Sequence, residues 1–176
     1  SAGAAFLLFF FFLCLYIVHY IFSFLTILLF FTLPVFSGYN YQWRNFTRFK
    51  DRLASNEIRK IITSPTNQVW VGTDLGLLRF DGFWYNVVLT NPKTTERLSN
   101  VSIQDLSFSS NGDLMVATNS GLLVGRWQSD VSEIFWHTLY DQEIGIQSNY
   151  ISSVLERNNG EIWVGTSAGV SWKKPE

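Results

Sequence analysis

A single register of self-similarity runs through most of the chain. Ile58-Arg59-Lys60-Ile61, Val69-Trp70-Val71-Gly72-Thr73 and Gly76-Leu77 recur as Ile103-Gln104-Asp105-Leu106, Leu114-Met115-Val116-Ala117-Thr118 and Gly121-Leu122. They recur again as Ile151-Ser152-Ser153-Val154, Ile162-Trp163-Val164-Gly165-Thr166 and Gly169-Val170. The first offset is 45 at all of these positions, and the second is 48. Such a period marks a chain built from stacked supersecondary units, so it constrains the fold more than composition does. The three extra residues fall between Trp127 and Tyr150, in a polar stretch where lengthening a loop costs little.

Each unit reads as short strands separated by turns. In the first, Ile58 to Thr63 is a strand, and Ser64-Pro65-Thr66-Asn67 has turn composition. Val69 to Thr73 follows, rich in β-branched and aromatic residues. Gly76 supplies the next turn and Leu77 to Phe80 the third strand. Asp81-Gly82 is a hairpin signal, and Trp84 to Thr90 is the fourth strand. Four antiparallel strands in about 45 residues is the size of one propeller blade. The expected fold is therefore all-β: a partial β-propeller of about three four-stranded blades, at about 41–90, 91–140 and 141–176.

Two further expectations concern the ends. Trp43 precedes Ile58 by the same 15 residues that separate Trp136 from Ile151, which suggests that Tyr41 to Phe49 is an outer strand of a blade otherwise missing. A blade buries its apolar faces against its neighbours, and closed rings usually have about four to eight blades. The chain is thus expected to be the N-terminal fragment of a longer propeller.

Ahead of the repeats, Ala4 to Phe36 contains no Asp, Glu, Lys or Arg. About 20 apolar residues in a helix span a bilayer core, so this run is long enough. Residues 1–37 read either as a signal peptide, with Val35-Phe36-Ser37 as its cleavage motif and Pro34 ending the helix, or as an uncleaved anchor. The first residue is Ser1, so the natural start is expected upstream or lost.

The formal net charge of −1 gives no basic surface for nucleic acid. Cys14 is the one cysteine, which excludes an internal disulfide and a cysteine-built metal site. His19 and His137 are far apart in sequence, and neither reads as a ligand or a base. Gly165-Thr166-Ser167-Ala168-Gly169 has the form of a nucleophile elbow, but an elbow needs a strand-to-helix turn. The repeat puts Asp74 and Asn119 at the position of Ser167, a series that shares turn propensity and not nucleophilicity. Gly72 to Gly76 lacks the lysine and following helix of a phosphate loop. No enzymatic activity, metal or cofactor is expected. Trp70 and Trp163, mid-strand, read as core. The candidate ligand-binding residues are Arg79, Trp84 and Tyr85, which flank the Asp81-Gly82 turn and would offer a charged donor and aromatic stacking surfaces at a blade edge.

The repeat resembles the two-component regulator propeller family. The resemblance rests on Asn56-Glu57-Ile58, Val69 to Leu77 and Arg79-Phe80-Asp81-Gly82 in the first unit, and on Ser148 to Ile151 and Gly160 to Thr166 in the third. The second unit departs, with Met115 for the tryptophan and Ala117 for the glycine. The resemblance covers about residues 43–174. It implies an exported sensing region on the periplasmic side of a bacterial inner membrane, anchored or cleaved, binding a glycan or other small extracellular ligand. It implies as well a homodimer in a full-length receptor whose histidine kinase lies outside this chain. Secreted propellers with similar repeats, including components of bacterial secretion machinery, give the alternative: a structural or protein-docking module.

Overall fold

The repeat is realised as three antiparallel sheets. The structure, a computed structural model, describes residues 2–32, 42–130 and 132–175; within the first helix it describes the side chains of Leu7 and of 9–26. The first sheet has the order β1-β2-β3-β4, from Ile58–Thr63, Val69–Thr73, Gly76–Phe80 and Trp84–Val87. The second repeats this as β5 (Ile103–Phe108), β6 (Leu114–Thr118), β7 (Gly121–Gln128) and β8 (Glu133–Tyr140). The third contains β9 (Ile151–Glu156), β10 (Ile162–Thr166) and β11 (Gly169–Lys173), with no fourth strand among the described residues.

The three-residue difference between the offsets hides a larger rearrangement. Leu77 pairs with Val87, ten residues on, whereas Leu122 pairs with Tyr140, eighteen residues on. The second unit thus has a longer outer hairpin. The connector behind it is shorter: sixteen residues lead from Val87 to Ile103, but eleven from Tyr140 to Ile151.

The sheets stack face to face through their first strands, with β5 against β1 and β9 against β5. Period-two alternation divides β2: Trp70 joins the cluster shared with the second sheet, and Val71 joins the one on the opposite side. The first junction contains Trp70, Leu77, Ile103, Leu106, Val116, Leu123 and Trp136. The second is aliphatic, with Met115, Ala117, Leu122, Val124, Ile151, Val154 and Val164. Gly72 permits close approach at the first junction, since a Cβ there would lie 2.5 Å from Ile103 Cγ2.

Each first strand carries a register shift at the same repeat position, leaving Arg59, Gln104 and Ser152 as the extra residues of three equivalent bulges. Beside the middle bulge, Asp105 touches both neighbouring sheets. Its Oδ1 is 2.8 Å from Lys60 Nζ in β1, and its Oδ2 accepts from the Val154 N–H in β9 at 3.0 Å.

The segment before β1 differs from its sequence reading. Tyr41 lies outside the described residues. Residues 42–47 form no strand, and Arg48–Asp51 is a short helix, α2, capped by the Thr47 hydroxyl accepting from the Lys50 N–H. Phe46, Leu53 and Ala54 pack over Val71 and Leu78 on the first sheet. Leu53, Leu98 and Ile146 each stand five residues before a first strand, and each packs into the cluster on its own unit. The segment therefore behaves as a connector, the sequence similarity of Trp43 to Trp136 notwithstanding.

The apolar run forms helix α1 from Ala2 to Thr32, a unit by itself with every described side chain exposed. Its 31 residues extend roughly 46 Å at the α-helical rise, more than a bilayer core needs. Phe9–Thr26 is long and apolar enough to cross a membrane, a property that signal sequences share. Pro34 and the Val35-Phe36-Ser37 motif lie outside the described residues.

Candidate functional site

The three candidate residues separate according to which face of the first sheet they occupy. Register pairs Ile62 with Trp70, Trp70 with Arg79, and Arg79 with Tyr85, giving one cross-strand row on the face turned to the second sheet. Trp84, one residue before Tyr85, falls on the opposite face. There it packs 5.4 Å from the Phe46 ring and 4.8 Å from the Phe80 ring, so it belongs to the core rather than the site.

Arg79 is buried, at 5 % exposure. A buried cation needs compensation. Its guanidinium lies 4.8 Å from the Tyr85 ring centroid and 4.4 Å from that of Trp127, a residue of β7 in the second sheet. It also pairs with the Asp81 carboxylate, two residues along at the hairpin turn. Trp127 completes the joint by packing edge-on against Trp70, with centroids 5.7 Å apart and planes at 77°. One tryptophan thus engages both middle members of the row. Its role was hidden from the repeat, because Gly82 stands at its position in the first unit. Trp127 and the Phe135-Trp136 pair close together in Arg126 to Trp136 were the signal that could have found it.

Outside this joint lies a cleft of about 460 Å³ between the two units. Arg79, Asp81, Tyr85, Trp127, Thr90 and Glu133 line it. The Trp136 indole N–H donates to the Val88 carbonyl at 2.8 Å and ties the outer strand of the second unit to the first. Tyr85 is 45 % exposed, leaving one ring face available while Arg79 holds the residue in place. Of the sequence candidates, then, Arg79 and Tyr85 meet in this cleft, with Arg79 as its support and Tyr85 as its accessible surface. Half apolar wall and half carboxylate, hydroxyl and amide, the cleft suits a small polar ligand with an apolar side.

The other motifs resolve into turns and ion pairs. The Thr73, Thr118 and Thr166 hydroxyls each donate to the carbonyl of the glycine three residues on, and each accepts an N–H two residues on. Ser167 occupies that hairpin turn, and its Oγ is 2.7 Å from Ser148 Oγ, a hydroxyl and not a base. In the second unit Asp113 receives Arg126 Nε at 2.6 Å, with His137 Nε2 at 3.6 Å. Hydrogen bonding to Asp113 raises the Arg126 pKa. Hydrogen bonds to Asp141 and Glu143 raise that of Lys93, which joins the first connector to the second. For Glu161, desolvation pushes the carboxyl up, but hydrogen bonds from Arg157, Asn159 and Trp163 outweigh it and leave the pKa lowered. No group of three or more His, Cys, Asp or Glu among the described residues is arranged to hold a metal ion.

The mid-strand tryptophans part company. Trp70 is fully buried, as its sequence position suggests. Trp163, at the same repeat position, is 37 % exposed and is not core. It stacks on Trp172 at 5.9 Å, on a face that no sheet among the described residues covers.

Comparison with known proteins agrees with this geometry. The family model described as "Two component regulator propeller" matches residues 145–168. No curated protein matches the chain. Among solved structures, the extracellular domain of the putative hybrid two component system BT3049 from B. thetaiotaomicron is similar with a TM-score of 0.56 and 22 % identity, over 76 % of this chain and 17 % of that one. PorZ, a surface component of the type-IX secretion system of Porphyromonas gingivalis, is similar with a TM-score of 0.52 and 21 % identity, over 64 % of this chain and 17 % of that one. The chain therefore spans about a sixth of the length of either. Its three sheets are successive β-propeller blades, and in the third unit residues 145–168 match the repeat described as a two component regulator propeller.

Proposed function

We propose that the β unit is the extracytoplasmic sensing module of a two-component signalling receptor, carried across the inner membrane by α1 and without catalytic activity of its own. In this reading the ligand is a glycan fragment or a comparable small polar molecule, held in the cleft between the first two blades. The observation that carries the reading is the Tyr85 ring, held by Arg79, whose guanidinium also lies over Trp127, and presented beside Asp81 and Glu133. An aromatic face beside oriented acceptors can stack on the apolar side of a sugar ring while its hydroxyls donate. The family match and α1 support an exported receptor.

The test is titration of the full chain, in detergent, with a panel of neutral and acidic oligosaccharides, followed by tryptophan fluorescence. Binding about tenfold weaker in Tyr85→Ala, with an unchanged melting temperature, is the expected result. If no oligosaccharide binds, or Tyr85→Ala binds as well as the parent, the reading fails.

A second reading, a secreted propeller that docks other proteins, is favoured by the similarity to PorZ at comparable TM-score. The coding sequence beyond Glu176 separates the two. A second apolar span followed by a kinase core supports the sensor, and a sorting domain without one supports the docking protein.

A further inference from the structure

The repeat fills one interior position twice with leucine and leaves it hollow the third time. Leu78 in β3 and Leu123 in β7 stand at equivalent places, and both are 0 % exposed. Leu78 lies under Phe46 and Leu53, and Leu123 packs in the first junction. The third unit has Ser171 there, in β11. Register pairs Ser171 with Val164 and Lys173 with Ile162, so both side chains lie on the face of the third sheet turned to the second. Serine is too small to take a leucine's place, and a cavity of about 360 Å³ opens between the two units. Leu122, Tyr140, Ile146, Ile162 and Val164 form its walls, and Ile144, 51 % exposed, adds apolar surface.

The polar groups of this cavity are few, and their charge has one sign. Lys173 places its Nζ 5.9 Å from the centroid of the Tyr140 ring. Phe80 and Gly125 stand at its position in the other units, so the lysine is particular to the third. Ser171 Oγ accepts from the Gln147 N–H at 3.3 Å, and a hydroxyl that accepts there can donate elsewhere. No Asp or Glu is among the described residues that line the cavity. The acids of the adjoining connector, Asp141 and Glu143, are both drawn to Lys93, at 2.9 and 3.2 Å. The cleft at the first junction has the opposite character: Asp81 and Glu133 line it, and its Arg79 is buried in a pair with Asp81.

We propose that the cavity between the second and third units is a separate ligand site for a small organic acid. The acid's aromatic or branched aliphatic body fills the space that Ser171 leaves, and its carboxylate turns to Lys173 and Ser171. An ammonium and a hydroxyl on one wall give a carboxylate charge-assisted hydrogen bonds, while the apolar walls exclude water. A sugar would set its hydroxyls against Leu122, Ile146, Ile162 and Val164, where nothing can pair with them. An organic cation would meet Lys173. The volume is within the usual range of small-molecule sites. This site goes beyond the glycan reading of the first cleft and does not depend on it.

The experiment titrates the 176-residue chain, in detergent, with phenylacetate and with its neutral isostere phenylacetamide, followed by calorimetry. Saturable binding at one site is expected, with the acid held about tenfold or more tighter than the amide. Ser171→Leu restores the leucine of the other two units. It is expected to abolish binding and to keep or raise the melting temperature, and it controls for uptake of the acid by micelles. Lys173→Gln is expected to bring the acid down to the level of the amide without a change in melting temperature. Tyr85→Ala, in the first cleft, is expected to bind phenylacetate as the parent does, so failure at one site is distinguishable from failure at the other. Absence of saturable binding overturns the proposal, as does equal binding of acid and amide by the parent or undiminished binding by Ser171→Leu. Should Ser171→Leu fail to fold, Lys173→Gln decides: an unchanged preference for the acid overturns the proposal.

Discussion

Arg79 shows how much of a junction one side chain can carry. Its charge is compensated by Asp81, which is a third exposed, and by two rings, so its removal strands no fully buried anion. Arg79→Met keeps most of the packing volume and lets Asp81 hydrate. It is expected to cost about 1–2 kcal/mol by urea denaturation. Arg79→Lys is expected to cost as much or more despite retaining the charge, because an ammonium cannot stack between two rings as a planar guanidinium does. Glu161 gives a pH test. Its pKa is lowered in the folded state, so its stabilising contribution is present above the ordinary carboxylate range and is lost as pH falls through the lowered folded value. The difference in melting temperature between the parent and Glu161→Gln should accordingly be seen at neutral pH and disappear in acid. A difference that persists unchanged in acid would mean that the Arg157 ion pair is not its source.

At the scale of the element, the three hairpins closed by Thr73, Thr118 and Thr166 are the same device in different surroundings. Thr118 is buried, and its two hydrogen bonds have no substitute, whereas Thr166 is partly exposed and water can replace what it loses. Thr118→Val should cost about 2–3 kcal/mol and Thr166→Val under about 1 kcal/mol, measured by chemical denaturation of each variant. Gly72 is a tight contact between the first two sheets. Gly72→Val should cost several kcal/mol through overpacking on Ile103, and Ile103→Ala in the same chain should recover part of that loss. Strands, turns and register were legible in the sequence because the repeat states each of them three times. The first connector was misread as a strand, since Trp43 and Phe46 carry the same residue types whether they pair in a sheet or cover one. The site was half legible. Alternation separates Trp84 from Tyr85, but only tertiary packing brings Trp127 to Arg79, from 48 residues further along the chain.

Across the whole β unit, the junctions grade from one end to the other. The first is dense with aromatic rings, the second is aliphatic, and the third sheet has one face open and three strands. Stability in stacked units is close to a sum over units and their interfaces. Amide exchange should therefore be slowest in β5, β6 and β7, which are held from both sides, and fastest in β9, β10 and β11. Uniform protection across the three sheets would contradict this arrangement. The open face also explains why Trp163 defied its sequence position: burial at a blade face is a property of the neighbour, which no single unit encodes.

Asp105 gives this row of sheets a common fastener. One of its oxygens holds Lys60 in the first blade, and the other holds the Val154 amide in the third. A ligand that wedged the first joint open by a few tenths of an ångström would tug on that carboxylate, and the pull would arrive at the far joint through a single side chain. The middle blade can then act less as a spacer than as a rocker arm, with its pivot on β5 and its two ends in different joints.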